Sequence, residues 1–173
     1  MSLSDKKYDA YNLHKIIIKP LYLGVFLNIM FPGALLFVCF YLDKNNLYTN
    51  GIVSFEFAET LFIIFAVLAI INSGLALWVR HKLFVTPMIT SKENLESELT
   101  DSLLAKIRPI YILISIIAVY GVSYYYLTTR FQESAFFVIF SFLVFQIVRP
   151  RIGYIEKLID AQLKLLDNTQ LKK

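Results

Sequence analysis

The sequence contains very little cysteine and few charged residues, and both shortages restrict what the protein can be. Cys39 is the single cysteine in 173 residues, so one chain can form neither an internal disulfide nor a cysteine-ligated zinc or iron–sulfur site. Charged residues make up 17% of the chain and hydrophobic residues 57%. A typical globular domain has about 25% charged and roughly 45–50% apolar residues, so this balance argues against a water-soluble domain.

Charge is absent from four long apolar blocks, which cover residues 20–42, 60–79, 109–129 and 134–148. A helix rises about 1.5 Å per residue, so about 20 apolar residues cross roughly 30 Å of hydrocarbon. Strict alternation of apolar and polar residues is also absent. Since backbone groups must be satisfied internally in lipid, we expect helices rather than barrel strands. The sequence therefore predicts an all-α integral membrane protein with four transmembrane helices.

These blocks define a single membrane domain over residues 1–173. Its predicted parts are an N-terminal segment at 1–19, spans at 20–42, 56–79, 109–129 and 132–148, a helix-containing connection at 80–108 and a C-terminal helix at 149–173.

The basic residues predict the orientation of the chain. Of the 17 lysine and arginine residues, only Lys44 and Arg130 lie in the connections after spans 1 and 3. Lysine and arginine are enriched in cytoplasmic loops, so we expect both termini in the cytoplasm, with the bacterial inner membrane as the location. The same placement accounts for the net charge of +4, and nucleic acid is not expected as a partner.

The entries to spans 1 and 3 resemble each other. Residues 19–22 read Lys-Pro-Leu-Tyr and residues 108–111 read Arg-Pro-Ile-Tyr, while spans 2 and 4 both end in Val-Arg. This likeness predicts two hairpins of the same orientation, related as a parallel repeat. Convergence on proline at the first helical position and on basic and aromatic anchors is the open alternative. The predicted lipid-headgroup residues are Lys19, Tyr22, Arg80, Arg108, Tyr111, Arg149 and Arg151.

Two amphipathic segments lie outside the predicted spans, on the cytoplasmic side. Thr90 to Glu93 forms a capping-box pattern that predicts a helix start. Apolar stripes follow at helical spacing in this connection and in the tail. Each stripe either lies on the membrane, packs on the other stripe, or docks a partner protein. The predicted docking residues are Leu95, Leu99, Leu103, Ile155, Ile159 and Leu163.

Small and amide residues interrupt the apolar spans. Helix contacts in lipid use such residues, because they allow close approach or interhelical hydrogen bonds. The predicted helix-contact residues are Asn28, Pro32, Gly33, Asn72, Ser73, Gly74 and Gln146. A bend at Pro32 and Gly33 that faces Asn72 is also compatible with a pore or a small-ligand cavity.

The blocks contain no ionisable residue of the kind that marks a functional site inside a membrane. His14 and His81 lie at the interface, and no metalloprotease, nucleotide-binding or Ser/His/Asp pattern is present. We therefore expect no catalytic residue, cofactor or metal. The expected function is a non-catalytic membrane subunit or scaffold whose partners are lipids and other membrane or cytoplasmic subunits, or a second copy. The alternatives are a small oligomeric channel or carrier, and a membrane enzyme or lipid-handling protein.

Overall fold

A computed structural model describes residues 12–49, 51–91 and 93–170, with side chains as far as Asn168. Within these ranges the regular structure is entirely helical. The helices are α1 (Leu13–Val25), α2 (Phe31–Lys44), α3 (Phe55–Lys82), α4 (Leu95–Thr128), α5 (Phe131–Val148) and α6 (Ile152–Gln170), and a π-helical segment (Phe26–Met30) joins α1 to α2.

Four helical segments are long and apolar enough to cross a membrane, as the sequence predicts. They are the continuous run Leu13–Lys44 and the helices Phe55–Lys82, Leu95–Thr128 and Phe131–Val148. In a soluble helix bundle the large apolar side chains point inward, whereas many of those on these four segments are exposed. Helix α3 shows this most clearly. It turns Ala58, Ala69 and Ala76 inward and leaves most of its large apolar side chains exposed, so its outer face suits contact with lipid.

Both entry prolines lie inside helices, which corrects the prediction that each occupies the first helical position. Asn12 caps α1 by accepting a hydrogen bond from the Lys15 backbone N–H at 3.1 Å, so Pro20 falls in the helix interior. Pro109 likewise lies within α4. In both cases an amphipathic segment ahead of the proline and the apolar span after it form one continuous helix. The sequence of the span alone did not predict this continuity.

The predicted capping box also forms differently. Helix α4 begins at Leu95, and Thr90 lies ahead of it. The Thr90 hydroxyl donates to the carboxylate of Glu98 at 2.8 Å, rather than pairing with Glu93, which is exposed. Thr90 therefore ties the incoming loop to the first turn of α4.

Helix α4 is the centre of the bundle. It packs most extensively on α5, and it also contacts α1, α2 and α3. By contrast, the first span and α3 have little contact with each other, although they are consecutive in the chain. The second pair of helices therefore forms a tightly packed hairpin, whereas the helices of the first pair lie separately against it. These contacts do not confirm the predicted pair of equivalent hairpins.

The loops at one end of the bundle are tied together by backbone hydrogen bonds. The N–H groups of Ile52 and Val53 both donate to the carbonyl of Leu127, at 2.9 and 3.1 Å. Thr129 ends α4 in the left-handed conformation, and Tyr48 donates its hydroxyl to the Tyr126 carbonyl at 2.7 Å. This is called the loop end below. The other end, where Arg80, Arg108 and Arg149 lie, is called the basic end.

Candidate functional site

The apolar stripes of the basic end are buried in the chain's own core. Leu95, Leu99 and Leu103 on α4 and Ile155 and Ile159 on α6 are fully or almost fully buried. Together with Ile16, Ile17, Leu83, Met88 and Ile89 they belong to one core cluster that continues into the spans, and half-buried Leu163 packs against it. The prediction that these six residues dock a partner is corrected, because the chain's own core buries them and α1 contacts both α4 and α6.

Gln162 fastens α6 to the loop that follows α3. Its side chain is buried and donates to the carbonyls of Leu83 and Thr86 at 3.1 and 3.0 Å. Its Oε1 accepts a hydrogen bond from the Met88 N–H at 2.7 Å. The sequence analysis missed this residue. Its only signal is a glutamine placed between the apolar positions 159 and 166 of an amphipathic helix.

Arg80 is half-buried and contacts the end of α5. Its Nη1 donates to the carbonyl of Ile147 at 2.9 Å, and its guanidinium lies 4.4 Å from the centre of the Tyr154 ring. A cation at a helix C-terminus is stabilised by the helix dipole. Burial raises the pKa of Tyr154, so its hydroxyl stays protonated at neutral pH and donates to the Arg80 carbonyl at 3.4 Å.

Of the six other predicted headgroup residues, five are at least partly exposed and one is buried. Lys19, Tyr22 and Arg108 are exposed, Arg151 is exposed and donates to the Gln146 carbonyl, and Arg149 is half-buried. The prediction for Tyr111 is wrong. Tyr22 is 68% exposed, whereas Tyr111 at the matching position of span 3 is 0% exposed and packs edge-on against Phe145. The two matching tyrosines therefore have different roles, since α4 is central and α1 is peripheral.

Only some of the predicted helix-contact residues contact another helix of the chain. Asn72 donates from Nδ2 to the Tyr120 hydroxyl at 3.2 Å and so joins α3 to α4. Ser73 bonds within its own helix to the Ala69 carbonyl, and Gln146 is half-buried. Gly33 and Gly74 face open space, with nothing within 4 Å of an added Cβ. Neither glycine makes an internal helix contact, which corrects that prediction.

Two other glycines make the close contacts instead. A Cβ on Gly24 would lie 2.6 Å from Cε2 of Phe145 and 2.7 Å from Cζ of Tyr111. A Cβ on Gly121 would lie 2.6 Å from the Ser134 carbonyl oxygen. Sequence reasoning passed over both glycines because neither lies beside another polar or helix-bending residue.

A groove of about 190 Å³ opens between the first span and α5, beside the bend that was predicted at Pro32 and Gly33. Asn28 is buried there within the π-helical segment, and its Nδ2 donates to the Gly24 carbonyl at 3.2 Å. Its Oδ1 has no hydrogen-bond partner in the described part of the chain. The remaining lining is Ile29, Pro32, Gly33, Val138, Ile139 and Phe142. Asn28 and Pro32 therefore line a cavity, as the alternative interpretation expects, while Asn72 lies elsewhere.

A larger cleft of about 350 Å³ lies at the basic end, between the last turn of α3 and the first turns of α6. Its lining residues are Leu77, Arg80, His81, Phe84, Tyr154 and Lys157. Among the described residues, this lining contains two cationic side chains and no carboxylate. His14, the other histidine, is exposed on α1. No group of three or more His, Cys, Asp or Glu residues able to hold a metal occurs within the described ranges.

The four apolar helices, with their large side chains turned outward, indicate a multi-pass helical membrane protein. No protein-family model, curated protein or solved structure matches the chain.

Proposed function

We propose that the protein is a non-catalytic integral membrane subunit that associates with other membrane proteins through the exposed face of α3. The proposed location is the bacterial inner membrane. The basic end, with α6 and the start of α1, faces the cytoplasm in this proposal, and the distribution of lysine and arginine supports that orientation.

The observation that carries the proposal is an unfilled notch at Gly74. This glycine lies on the exposed face of α3, between Ile70 and Ile71 on one side and Leu77 and Trp78 on the other, and an added Cβ would meet nothing within 4 Å. Association of helices in lipid depends on close packing, for which glycine lets two backbones approach. The exposed backbone at Gly74 therefore allows a partner helix to pack closely against α3.

The peripheral position of α3 supports the same conclusion. Only 17% of its most apolar stretch is buried within the chain, against 39% for α4 and for α5. The exposed large residues on its outer face are Ile63, Ile64, Val67, Leu68, Ile70, Ile71, Leu75, Leu77 and Trp78. This face offers more unused apolar surface than either central span, while Asn72 and the inward alanines hold α3 to the bundle.

Gly74→Leu tests this function directly. The substitution fills the notch, and its Cβ has no atom of the same chain within 4 Å, so the monomer is expected to keep its fold. Overpacking a helix contact costs about 1–3 kcal/mol, so we expect association with the partner to weaken at least about fivefold. The measurement is the mass of the assembly after gentle detergent extraction, with the bound polypeptides identified.

Ala34→Leu is the matched control, because Ala34 is also small and exposed but lies on α2. The account predicts that the wild type and Ala34→Leu extract with a second polypeptide in a fixed ratio, and that Gly74→Leu releases the 20.0 kDa chain. A wild-type chain that extracts alone, or equal loss with Ala34→Leu, would contradict the proposal.

The second candidate function is a small carrier, and the Asn28 groove is the observation that favours it. A single polar acceptor in an apolar groove suits an apolar solute better than a hydrated ion. In the extraction experiment, an oligomer made of this chain alone that moves a solute across liposomes would favour the carrier over the subunit.

A further inference from the structure

We propose that the cleft at the basic end binds the phosphate of one anionic glycerophospholipid, with Arg80, His81 and Lys157 as its donors. This inference does not require the subunit role, because its donors lie at the end of α3 and on α6, although Leu77 borders both the cleft and the notch at Gly74.

The cleft lies at the level of the lipid headgroups. Trp78, one turn before Lys82, is 55% exposed, and the Lys82 ammonium lies 3.7 Å from the centre of its ring. Tryptophan concentrates at membrane–water interfaces, so this pair marks the boundary on α3 itself. Leu77 lies one helical turn before His81, so an apolar residue and a polar residue of α3 adjoin in the cleft.

The donors come from two helices and converge on the same space. Arg80 and His81 end α3, and Lys157 lies in the second turn of α6. An imidazole donates at least one N–H bond in either ring form, and lysine and arginine bring positive charge. Basic pockets between helices on the cytoplasmic side are typical binding places for phospholipid headgroups. The described lining residues include no carboxylate, so the lining itself is positively charged.

The shape of the cleft favours a lipid over a free anion. About 350 Å³ is roughly the volume of a dozen water molecules, which is large for phosphate alone and suits a phosphoglycerol group. Leu77 and Phe84 supply apolar contacts that a glycerol backbone and the first acyl carbons can use and that a hydrated phosphate cannot.

Arg80 is already positioned for this role by the protein. Its Nη1 bond to the Ile147 carbonyl and its stacking on Tyr154 fix the guanidinium at the edge of the cleft. Arginine carries five N–H donors, and the bond to Ile147 uses one of them. The group therefore keeps donors for a phosphate while it holds the end of α5, and for the same reason Arg80 is not the residue to vary in a test.

The test is lipid binding by the full-length protein in a neutral detergent, with bound phosphatidylglycerol counted by native mass spectrometry and phosphatidylcholine as the neutral comparison. Lys157→Ser and His81→Asn change exposed side chains of the cleft. One basic residue near a membrane surface contributes about 1 kcal/mol, so Lys157→Ser is expected to weaken phosphatidylglycerol binding about fivefold. Lys164→Ser, exposed on the same helix outside the cleft, is the matched control and should bind as the wild type does.

The proposal predicts one tightly held phosphatidylglycerol per chain, which an equal concentration of inorganic phosphate does not displace. Unchanged thermal stability of both cleft variants would show that the fold survives. Equal retention of phosphatidylcholine, an equal loss with Lys164→Ser, or displacement by inorganic phosphate would each overturn the proposal, the last by indicating a free-anion site.

Discussion

Gly24 and Gly121 are glycines of the apolar helices at which an added Cβ would clash with a neighbouring helix. Gly24 makes room for the rings of Tyr111 and Phe145, and Gly121 lets α4 approach the backbone of α5 at Ser134. Sequence reasoning expected Gly33 and Gly74 to have this role, because they stand beside proline, serine and asparagine. Which face of a helix points inward depends on how the helices pack, and neighbouring residues in the chain do not determine that.

Gly121→Ala is expected to destabilise the protein. The added Cβ would lie 2.6 Å from a backbone oxygen, which cannot move aside as a flexible side chain can. Overpacking of this kind costs about 1–3 kcal/mol, so the melting temperature in detergent should fall by several degrees. Gly74→Ala is the control with the same change of volume, and it should leave the melting temperature of the isolated chain unchanged. Equal melting temperatures for Gly121→Ala and the wild type would show that these helices are not in close contact.

At the scale of whole helices, the positions of the spans could be predicted but not their extents. Long uncharged blocks identified the four crossings, since few other structures need so many consecutive apolar residues. The helices of the first and third spans start well before Pro20 and Pro109, because the amphipathic segments ahead of them find a core to pack on. An apolar stripe shows that something covers it, but the covering surface is determined by the tertiary fold.

Helix α6 depends on one buried side chain for its attachment to the loop at residues 83–88. Gln162→Leu keeps the apolar packing but leaves the Met88 N–H and the carbonyls of Leu83 and Thr86 without their partner. An unsatisfied buried polar group costs about 1–3 kcal/mol. We therefore expect the Met88 amide to exchange its hydrogen for deuterium about tenfold faster than in the wild type.

Lys164→Leu serves as the comparison for this variant, because it adds the same side chain at an exposed position of α6. It should leave exchange at Met88 unchanged. If Gln162→Leu also left exchange unchanged, the loop would be held by its apolar contacts, and Gln162 would not be the fastening residue.

At the scale of the whole molecule, one core runs from the middle of the membrane into the layer at the basic end. It contains Tyr111 and Phe145 from the spans together with Leu99 and Ile159 from the amphipathic segments, and Lys15 pairs with Glu96 at 3.0 Å beside it. The sequence correctly placed the crossings and the stripes. It left open what covers the stripes, and their burial in the chain's own core moves the proposed partner surface from the basic end to α3.

The main structural inference is that the chain crosses the membrane four times, with both described ends on one side. It is tested by labelling single introduced cysteines with a membrane-impermeant maleimide. The native Cys39 is buried and should not react. Lys157→Cys reports on the basic end, and Thr49→Cys reports on the exposed connection between α2 and α3. We predict that Thr49→Cys is labelled only in intact spheroplasts and Lys157→Cys only in inverted vesicles. Labelling of both positions from the same side would contradict the claim.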